Sequence, residues 1–332
     1  MVASAMGRRV AAVVSALLVL LGCAWRPVRA DVTKTARVGY LSLYAPAEFS
    51  PVQQALVARL GELGWQTGRN LSIVFAHASG VPARLDGLAA TFARQNLDVI
   101  VASGVSAVLA SKRAAPHIPV VIAGASDPVA FGLVATLARP GGNVTGIADT
   151  PGRELEGKRL ETLKELAPHA TRIAVVLDSS SRRDPLTILA AARTLGLTLL
   201  ISPETTTPDA FRRTFATLKR DGMQAIYAPE TPINAEHREL IITLTVEHRL
   251  PAMFGAREFV DAGGLAAYGP SYVALHRRAA EYVDRILRGT APGSIPVEQP
   301  SRLELAINLK TAAAIGLAVP PALLLRADHV VQ

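Results

Sequence analysis

A single cysteine, Cys23, occurs in 332 residues, and it lies within the first thirty. The body of the chain therefore has no disulfide, no thiolate nucleophile and no cysteine-ligated zinc. Aromatic residues make up only 5% and charged residues 19%, while hydrophobic residues reach 50%, carried mainly by Ala, Leu and Val. That balance excludes a disordered chain and suits Ala-rich helices packed on β-branched strands. No stretch beyond the first thirty residues is long and apolar enough to be a transmembrane helix. Length alone predicts two domains of ordinary size.

Catalytic patterns are missing as well. No G-x-x-x-x-G-K-[ST] occurs: Gly141-Gly142-Asn143-Val144-Thr145-Gly146 has neither the spacing nor the lysine. No G-x-G-x-x-G follows the first predicted strand, and there is no G-x-S-x-G elbow. The seven histidines (His77, His117, His169, His237, His248, His276 and His329) are scattered, none in H-E-x-x-H, and most read as surface residues. Neither a metal nor a cofactor is expected, and an enzyme is disfavoured.

The amino terminus reads as an export signal over residues 1–30. Arg8 and Arg9 precede an apolar run over 10–22, a length that suits a signal core and is short for a membrane span. Two processing routes compete. Val28-Arg29-Ala30 offers a cleavage site that leaves Asp31 first, while Leu20-Leu21-Gly22-Cys23 resembles a lipobox and would put a lipid on Cys23, the one expected membrane contact. The formal charge of +8 includes four leader arginines, so residues 31–332 carry 31 basic and 27 acidic residues, or +4. Arg212, Arg213, Lys219 and Arg220 fall on amphipathic helices, the usual solvated face, so nucleic acid is not an expected partner.

From residue 37 onward, short β-branched runs alternate with Ala/Leu helices. Strands are predicted at 37–43, 70–76, 98–102, 119–124 and 143–148, with helices at 51–63, 85–95, 106–115 and 128–138. Strands apolar nearly throughout and separated by helices imply a parallel sheet covered on both faces. The pattern restarts after Thr150-Pro151-Gly152. Helices are predicted at 154–166, 186–195, 208–219, 235–248 and 272–287, and strands at 172–177, 197–201, 225–228, 251–254, 264–268 and 303–309. The fold class is α/β, with two doubly wound parallel-sheet lobes. The short join suggests lobes that face each other across a cleft, and the Pro-rich piece at 291–300 is a candidate second crossing. The expected partition is 31–150 plus about 270–295 for the first lobe, and 151–269 plus about 296–332 for the second.

Candidate ligand positions follow from helix-start chemistry. Ser50-Pro51, Asp127-Pro128, Asp184-Pro185, Thr207-Pro208 and Thr231-Pro232 each set a capping oxygen before a proline suited to the first helical position. Most follow a predicted strand, which places helix N-termini on the carboxyl edges of the sheets, where open parallel sheets bind ligands and where N–H groups favour anions. Each one taken alone is equally a plain cap. Ser103-Gly104-Val105-Ser106 puts two hydroxyls around a glycine just after a strand, and Ser126-Asp127 lies in the next such loop; tight turns are the alternative. Asp178 and Glu230 end strands of the second half and supply acceptors for an amine or hydroxyls. Tyr44, Phe254, Arg257 and Tyr268 lie at strand ends or in loops nearby, as an aromatic plate or cation clamp, or as ordinary packing.

These segments resemble a known family. Arg37-Val38-Gly39-Tyr40-Leu41, Leu60-Gly61-Glu62-Leu63-Gly64-Trp65, Asp98-Val99-Ile100-Val101-Ala102, Ser126-Asp127-Pro128-Val129, Arg257-Glu258-Phe259-Val260, Tyr268-Gly269-Pro270 and Ile307-Asn308-Leu309-Lys310-Thr311-Ala312 are similar to the ABC transporter substrate-binding proteins, a family that includes tryptophan-binding-type lipoproteins. The stretch Ala138-Arg139-Pro140-Gly141-Gly142-Asn143-Val144-Thr145-Gly146 is the most specific part. The resemblance implies a type I periplasmic-binding-protein fold, two lobes joined by crossing strands and closing on a solute delivered to an ABC permease outside the cytoplasm. It maps the ligand loops onto Ser42–Ser50, Ser103–Ser106 and Gly124–Asp127 and onto Asp178, Glu230 and Tyr268. Residues 178–183 are polar and charged where relatives commonly carry Asn-Pro, and Glu230 stands where they commonly carry Asp, which leaves the solute's identity open. An amino acid is the leading expectation, its carboxylate held by helix N-termini and the Ser103 and Ser106 hydroxyls. A sensory module for a membrane signalling partner and a secreted α/β enzyme are the rival readings.

Overall fold

Two sheets are built from these alternating runs in a computed structural model that describes residues 34–43, 51–149, 154–177, 185–202 and 205–332. Cys23, Tyr44 and Asp178, the caps at Ser50 and Asp184 and the join at 150–152 lie outside the described residues. The first sheet has five parallel strands in the order β2-β1-β3-β4-β5: β1 (Ala36–Ser42), β2 (Leu71–His77), β3 (Val99–Ser103), β4 (Val120–Ala123) and β5 (Val144–Ile147). Its strands are apolar on both sides because both faces are covered. On one face Leu41, Ile100, Ala102 and Ile122 pack with Phe92 of α2 (Ala83–Ala93) and Val108 of α3 (Val105–Ala114). The opposite face, with Val38, Tyr40, Val99, Val101 and Val121 buried, lies under α1 (Pro51–Glu62) and the distant α10 (Tyr272–Leu287).

The second sheet has seven strands in the order β12-β11-β10-β9-β8-β6-β7: β6 (Arg172–Val175), β7 (Thr198–Ile201), β8 (Ala225–Ala228), β9 (Ala252–Phe254), β10 (Ala266–Gly269), β11 (Glu304–Asn308) and β12 (His329–Val331). Every pairing is parallel except β10 with β11. One face buries Leu160 and Leu163 of α4 (Glu154–Leu166), Ile188 of α5 (Pro185–Thr194), Ala312 of α11 (Leu309–Ile315) and Leu323 of α12 (Pro321–Arg326). The other buries Phe211 and Phe215 of α6 (Pro208–Arg220), Ile233 of α7 (Pro232–Glu236), Ile241 of α8 (Arg238–Glu247) and Phe259 of α9 (Arg257–Asp261).

The chain passes between the sheets three times. It leaves β5 for α4, returns from β10 to α10, and leaves again after residues 295–298. That last segment runs beside β5: Ala148 N–H donates to the Glu298 carbonyl at 2.8 Å, and Glu298 N–H to the Gly146 carbonyl at 3.0 Å, before β11 begins. The chain leaves β5 and β10 at the carboxyl edges of the parallel strands, and β11 starts at that edge because it runs against β10. The contact of α10 with α1 is stitched by Arg59–Glu281 (2.8 Å) and Arg277–Glu62 (2.9 Å), and by the buried Trp65 indole N–H on Asp284 Oδ1 at 2.8 Å. The ion pairs are part-exposed and each contributes less than about 1 kcal/mol.

Two helix expectations are corrected. Residues 128–138 form turns, because the single turn opened at Asp127 (Phe131 N–H to Asp127 carbonyl, 3.1 Å) stops at Gly132, whose φ is +65°. The helix expected at 235–248 starts earlier and breaks at His237. There Thr231 caps Asn234 N–H at 3.1 Å, and the Asn234 amide donates to the Val176 and Pro229 carbonyls, tying the first piece to the sheet edge. Within the parallel-dominated second sheet, β11 is the strand that runs against its neighbour.

Gly146 carries the tightest requirement in β5. Its φ is +131°, and a Cβ there would lie 2.4 Å from both the N and the O of Ile122 on the adjacent strand. Gly146→Ala should lower the unfolding free energy by about 3 kcal/mol or more, read as a fall in urea midpoint.

Candidate functional site

Register assembles a polar row at the carboxyl edge of the first sheet. Ser42 pairs with His77 on one side and with Ser103 on the other, so the last residues of β1, β2 and β3 lie level and share a face. Ser42 Oγ is 2.8 Å from His77 Nδ1. Two residues deeper on that face, Tyr40 is buried, with its hydroxyl 3.1 Å from His276 Nε2 on α10. His276 Nδ1 lies 2.9 Å from the Tyr272 carbonyl oxygen one turn back. Burial pushes the Tyr40 phenol up to about 12. Burial likewise pulls the His276 imidazole down to about 4, with the Tyr272 carbonyl opposing.

The loops beside this row leave backbone accessible. Gly104, at φ +86°, donates its N–H to the Gly124 carbonyl at 2.9 Å, and a Cβ on it would meet nothing within 4 Å. Ser106 is half-buried in the first turn of α3. Ser126 is half-buried in the next loop, and Asp127 is exposed at φ +37°, its Oδ1 accepting from Ala130 N–H at 3.1 Å. Asp127 therefore closes a turn of its own. The ring of Tyr272, the first residue of α10, sits against Gly124, and its hydroxyl donates to Asp149 Oδ2 at 3.1 Å just beyond β5.

On the second sheet one buried cation organises the same edge. Arg159 of α4, 1% exposed, donates Nε to the Tyr268 carbonyl (2.7 Å), Nη2 to the Gly255 carbonyl (2.9 Å) and Nη1 to Tyr227 Oη (3.2 Å) and Glu156 Oε1 (3.3 Å). Tyr227 Oη donates in turn to Glu156 Oε2. The guanidinium thus holds the ends of β9 and β10. Glu230 is half-buried at the end of β8 beside Gly255. Glu258, whose carboxyl burial raises above its ordinary value, accepts from Val273 N–H at 3.4 Å at the start of α10, next to the Ser271 cap on Ala274.

Other predicted positions fall elsewhere. Phe254 is wholly buried with its ring stacked on Phe259 at 4.7 Å, so it packs the core instead of offering a plate. Arg257 is engaged with Asp261 at 3.3 Å and Glu304 at 3.8 Å. Tyr268 lines a cavity of about 250 Å³ with Lys158, Thr162, Leu305 and Arg326, on the α4 side of the sheet. Among the described residues no group of three or more His, Cys, Asp or Glu is placed to hold a metal. Sequence reasoning missed Tyr40, His276 and Arg159. For His276 a signal existed: it falls on the buried stripe of α10 with Ala279, Ala280, Val283 and Leu287, which is not a surface position.

The geometry can now be set beside known proteins. The family described as ABC transporter substrate binding protein matches residues 48–331. The chain belongs to that family. A tyrosine-binding protein of Clostridioides difficile is 24% identical over 291 residues, covering 87% of this chain and 83% of that protein. A conserved domain protein from Vibrio cholerae superposes with a TM-score of 0.81 at 28% identity, covering 90% of this chain and all of the other. A Streptococcus protein solved with L-Trp gives 0.81 at 23% identity, and a ligand-free, open substrate binding protein from Clostridium difficile gives 0.63 at 26%, both with the same coverage. The fold is that of periplasmic binding proteins, two parallel-dominated sheets in one chain, and among the described residues no helix is long and apolar enough to cross a membrane.

The depressed His276 pKa has a consequence for stability in this substrate-binding protein. The unfolded chain binds the imidazole proton near 6.5 and the folded chain near 4, so between those values the unfolded state holds more protons. Stability should rise by about 3 kcal/mol from pH 4 to 6.5 through this group. Urea unfolding across that window should show a shallower pH slope in His276→Gln than in the wild type.

Proposed function

We propose that the chain is an extracytoplasmic solute receptor that delivers an amino-acid-like molecule, with an aromatic side chain as the first candidate, to an ABC import permease. One observation carries the reading: the row Ser103, Ser42 and His77, with the open backbone of Gly104 beside it, lies at the carboxyl edge of one sheet, and the chain passes three times between that sheet and a second. Ligands bind at such edges in open parallel sheets. A solute between them touches both sheets, and only a ligand with different affinity for open and closed forms shifts an equilibrium between them. The lobes are residues 31–150 with about 270–295, and 151–269 with about 296–332. Ser42, Ser103, Gly104, Ser106, Ser126 and Asp127 form the first lobe's contribution, and Glu230 lies on the second lobe's side.

The names of relatives support the solute class, since one is a tyrosine-binding protein and another was solved with L-Trp. Export fits the leader, with Ala30 cleavage and Cys23 lipidation as the competing routes. The family's role in ABC transport supports a permease partner, and the missing catalytic motifs favour binding over chemistry.

A thermal-shift screen of exported protein, unfolded and refolded to strip carried-over ligand, tests the class. L-Tyrosine or L-tryptophan at ~100 times its dissociation constant should add about 2.7 kcal/mol of stability, with most of the shift lost in Ser103→Ala. A shift with sugars or nucleosides alone would overturn the amino-acid class, and no shift across amino acids, sugars, nucleosides and small carboxylates would overturn the receptor reading.

A further inference from the structure

An aromatic solute calls for an aromatic wall, and the sequence offers Tyr44, Phe254 and Tyr268 for it. Tyr44 lies outside the described residues, Phe254 packs the core and Tyr268 lines the cavity on the α4 side. A different ring stands where the two sheets meet. Tyr272, half-buried, opens α10 directly after the chain's second passage. A Cβ on Gly124, at φ +82°, would lie 3.2 Å from Cε1 and 3.6 Å from Cδ1 of the Tyr272 ring, so the ring fills the side of that loop which the glycine leaves open. The Gly124 carbonyl accepts the Gly104 N–H at 2.9 Å, which sets the ring one loop away from Ser103. Tyr272 also packs against the second-sheet core cluster that contains Phe254 and Phe259. One side chain thus touches both sheets, at the carboxyl edge of the first.

The pose of this ring is fixed without a solute. Its hydroxyl donates to Asp149 Oδ2 at 3.1 Å, while Val273 N–H donates to Glu258 Oε1 at 3.4 Å and Ala274 N–H to Ser271 Oγ at 3.2 Å, holding the first turn of α10. With the phenol proton on Asp149, the side chain offers its ring surface, and a ring already held in place loses little freedom when a ligand packs on it. We infer that Tyr272 is the aromatic wall of the solute site, packs the ring of the solute and sets a preference for aromatic over aliphatic amino acids. This assignment rests on the receptor reading for there being a solute.

Two measurements on exported, ligand-stripped protein test it. NMR of the wild-type protein saturated with L-tryptophan should show Overhauser contacts between the indole protons and the Tyr272 ring, assigned by its loss in Tyr272→Leu; their absence would overturn the inference. In calorimetric titrations, the ratio of L-tryptophan to L-leucine affinity should fall about two- to tenfold in Tyr272→Leu, the range for one aromatic pair. Tyr272→Phe, which keeps the ring and loses the Asp149 bond, should retain the wild-type preference. Equal losses for both amino acids in Tyr272→Leu would mark a structural post or a seat for their shared ammonium, and would overturn the inference. If wild-type protein binds no amino acid, the solute class proposed above falls, and adenosine and indole-3-acetate serve as aromatic probes. Either one bound in contact with the Tyr272 ring keeps the inference; neither bound, or bound without that contact, overturns it too.

Discussion

The structure depends on one packing requirement: the first sheet cannot cover its second face with its own consecutive helices. α2 and α3 fill one side, α1 covers part of the other, and the remainder is closed by α10, which follows β10 of the second sheet. A parallel sheet left open on one face would expose Val101, Val121 and their neighbours to water, at about 25 cal/mol for each Å² uncovered. The chain must therefore come back from the second sheet to finish the first, and go out again to finish the second with β11 and β12. Three passages are the geometric consequence.

The same requirement places chemistry at the edge. Because α10 enters at the carboxyl end of the first sheet, its first turns bring Tyr272 against Gly124 and Asp149 and set His276 over Tyr40. Glu258 and Ser271 hold the start of that helix from the second sheet's side. Arg159 ties Gly255 to Tyr268 where the chain turns toward α10. Under the receptor reading, a rotation between lobes has to be absorbed at the three passages, while the polar row and the Arg159 network move as parts of their own sheets.

Much of this architecture was legible in the sequence. Strands apolar nearly throughout implied covered parallel sheets, and α10 forms over the residues that the helical pattern predicted. Thr207 and Thr231 cap their helices as their Ser/Thr-Pro pattern implied. Ser103 and Gly104 were legible as residues that follow a strand, and Ser42 through the family resemblance. Facing was not: Phe254 and Tyr268 also end strands, yet pleat alternation turns one into the core and the other toward a cavity on the α4 side. Tyr40 and His276 could not be paired from sequence, since 236 positions separate them and only sheet packing brings them to 3.1 Å. Arg159 went unmarked in the sequence because two of its partners are backbone carbonyls of distant strands and a third is Tyr227, 68 positions away.

The central claim is that a small solute bridges two sheet edges and draws them together. Small-angle X-ray scattering of the ligand-stripped protein, without and with saturating L-tyrosine, measures this directly. The account predicts a smaller radius of gyration and a narrower distance distribution with ligand, both absent in Ser103→Ala at the same concentration. An unchanged radius in wild-type protein shown by calorimetry to be saturated would contradict it.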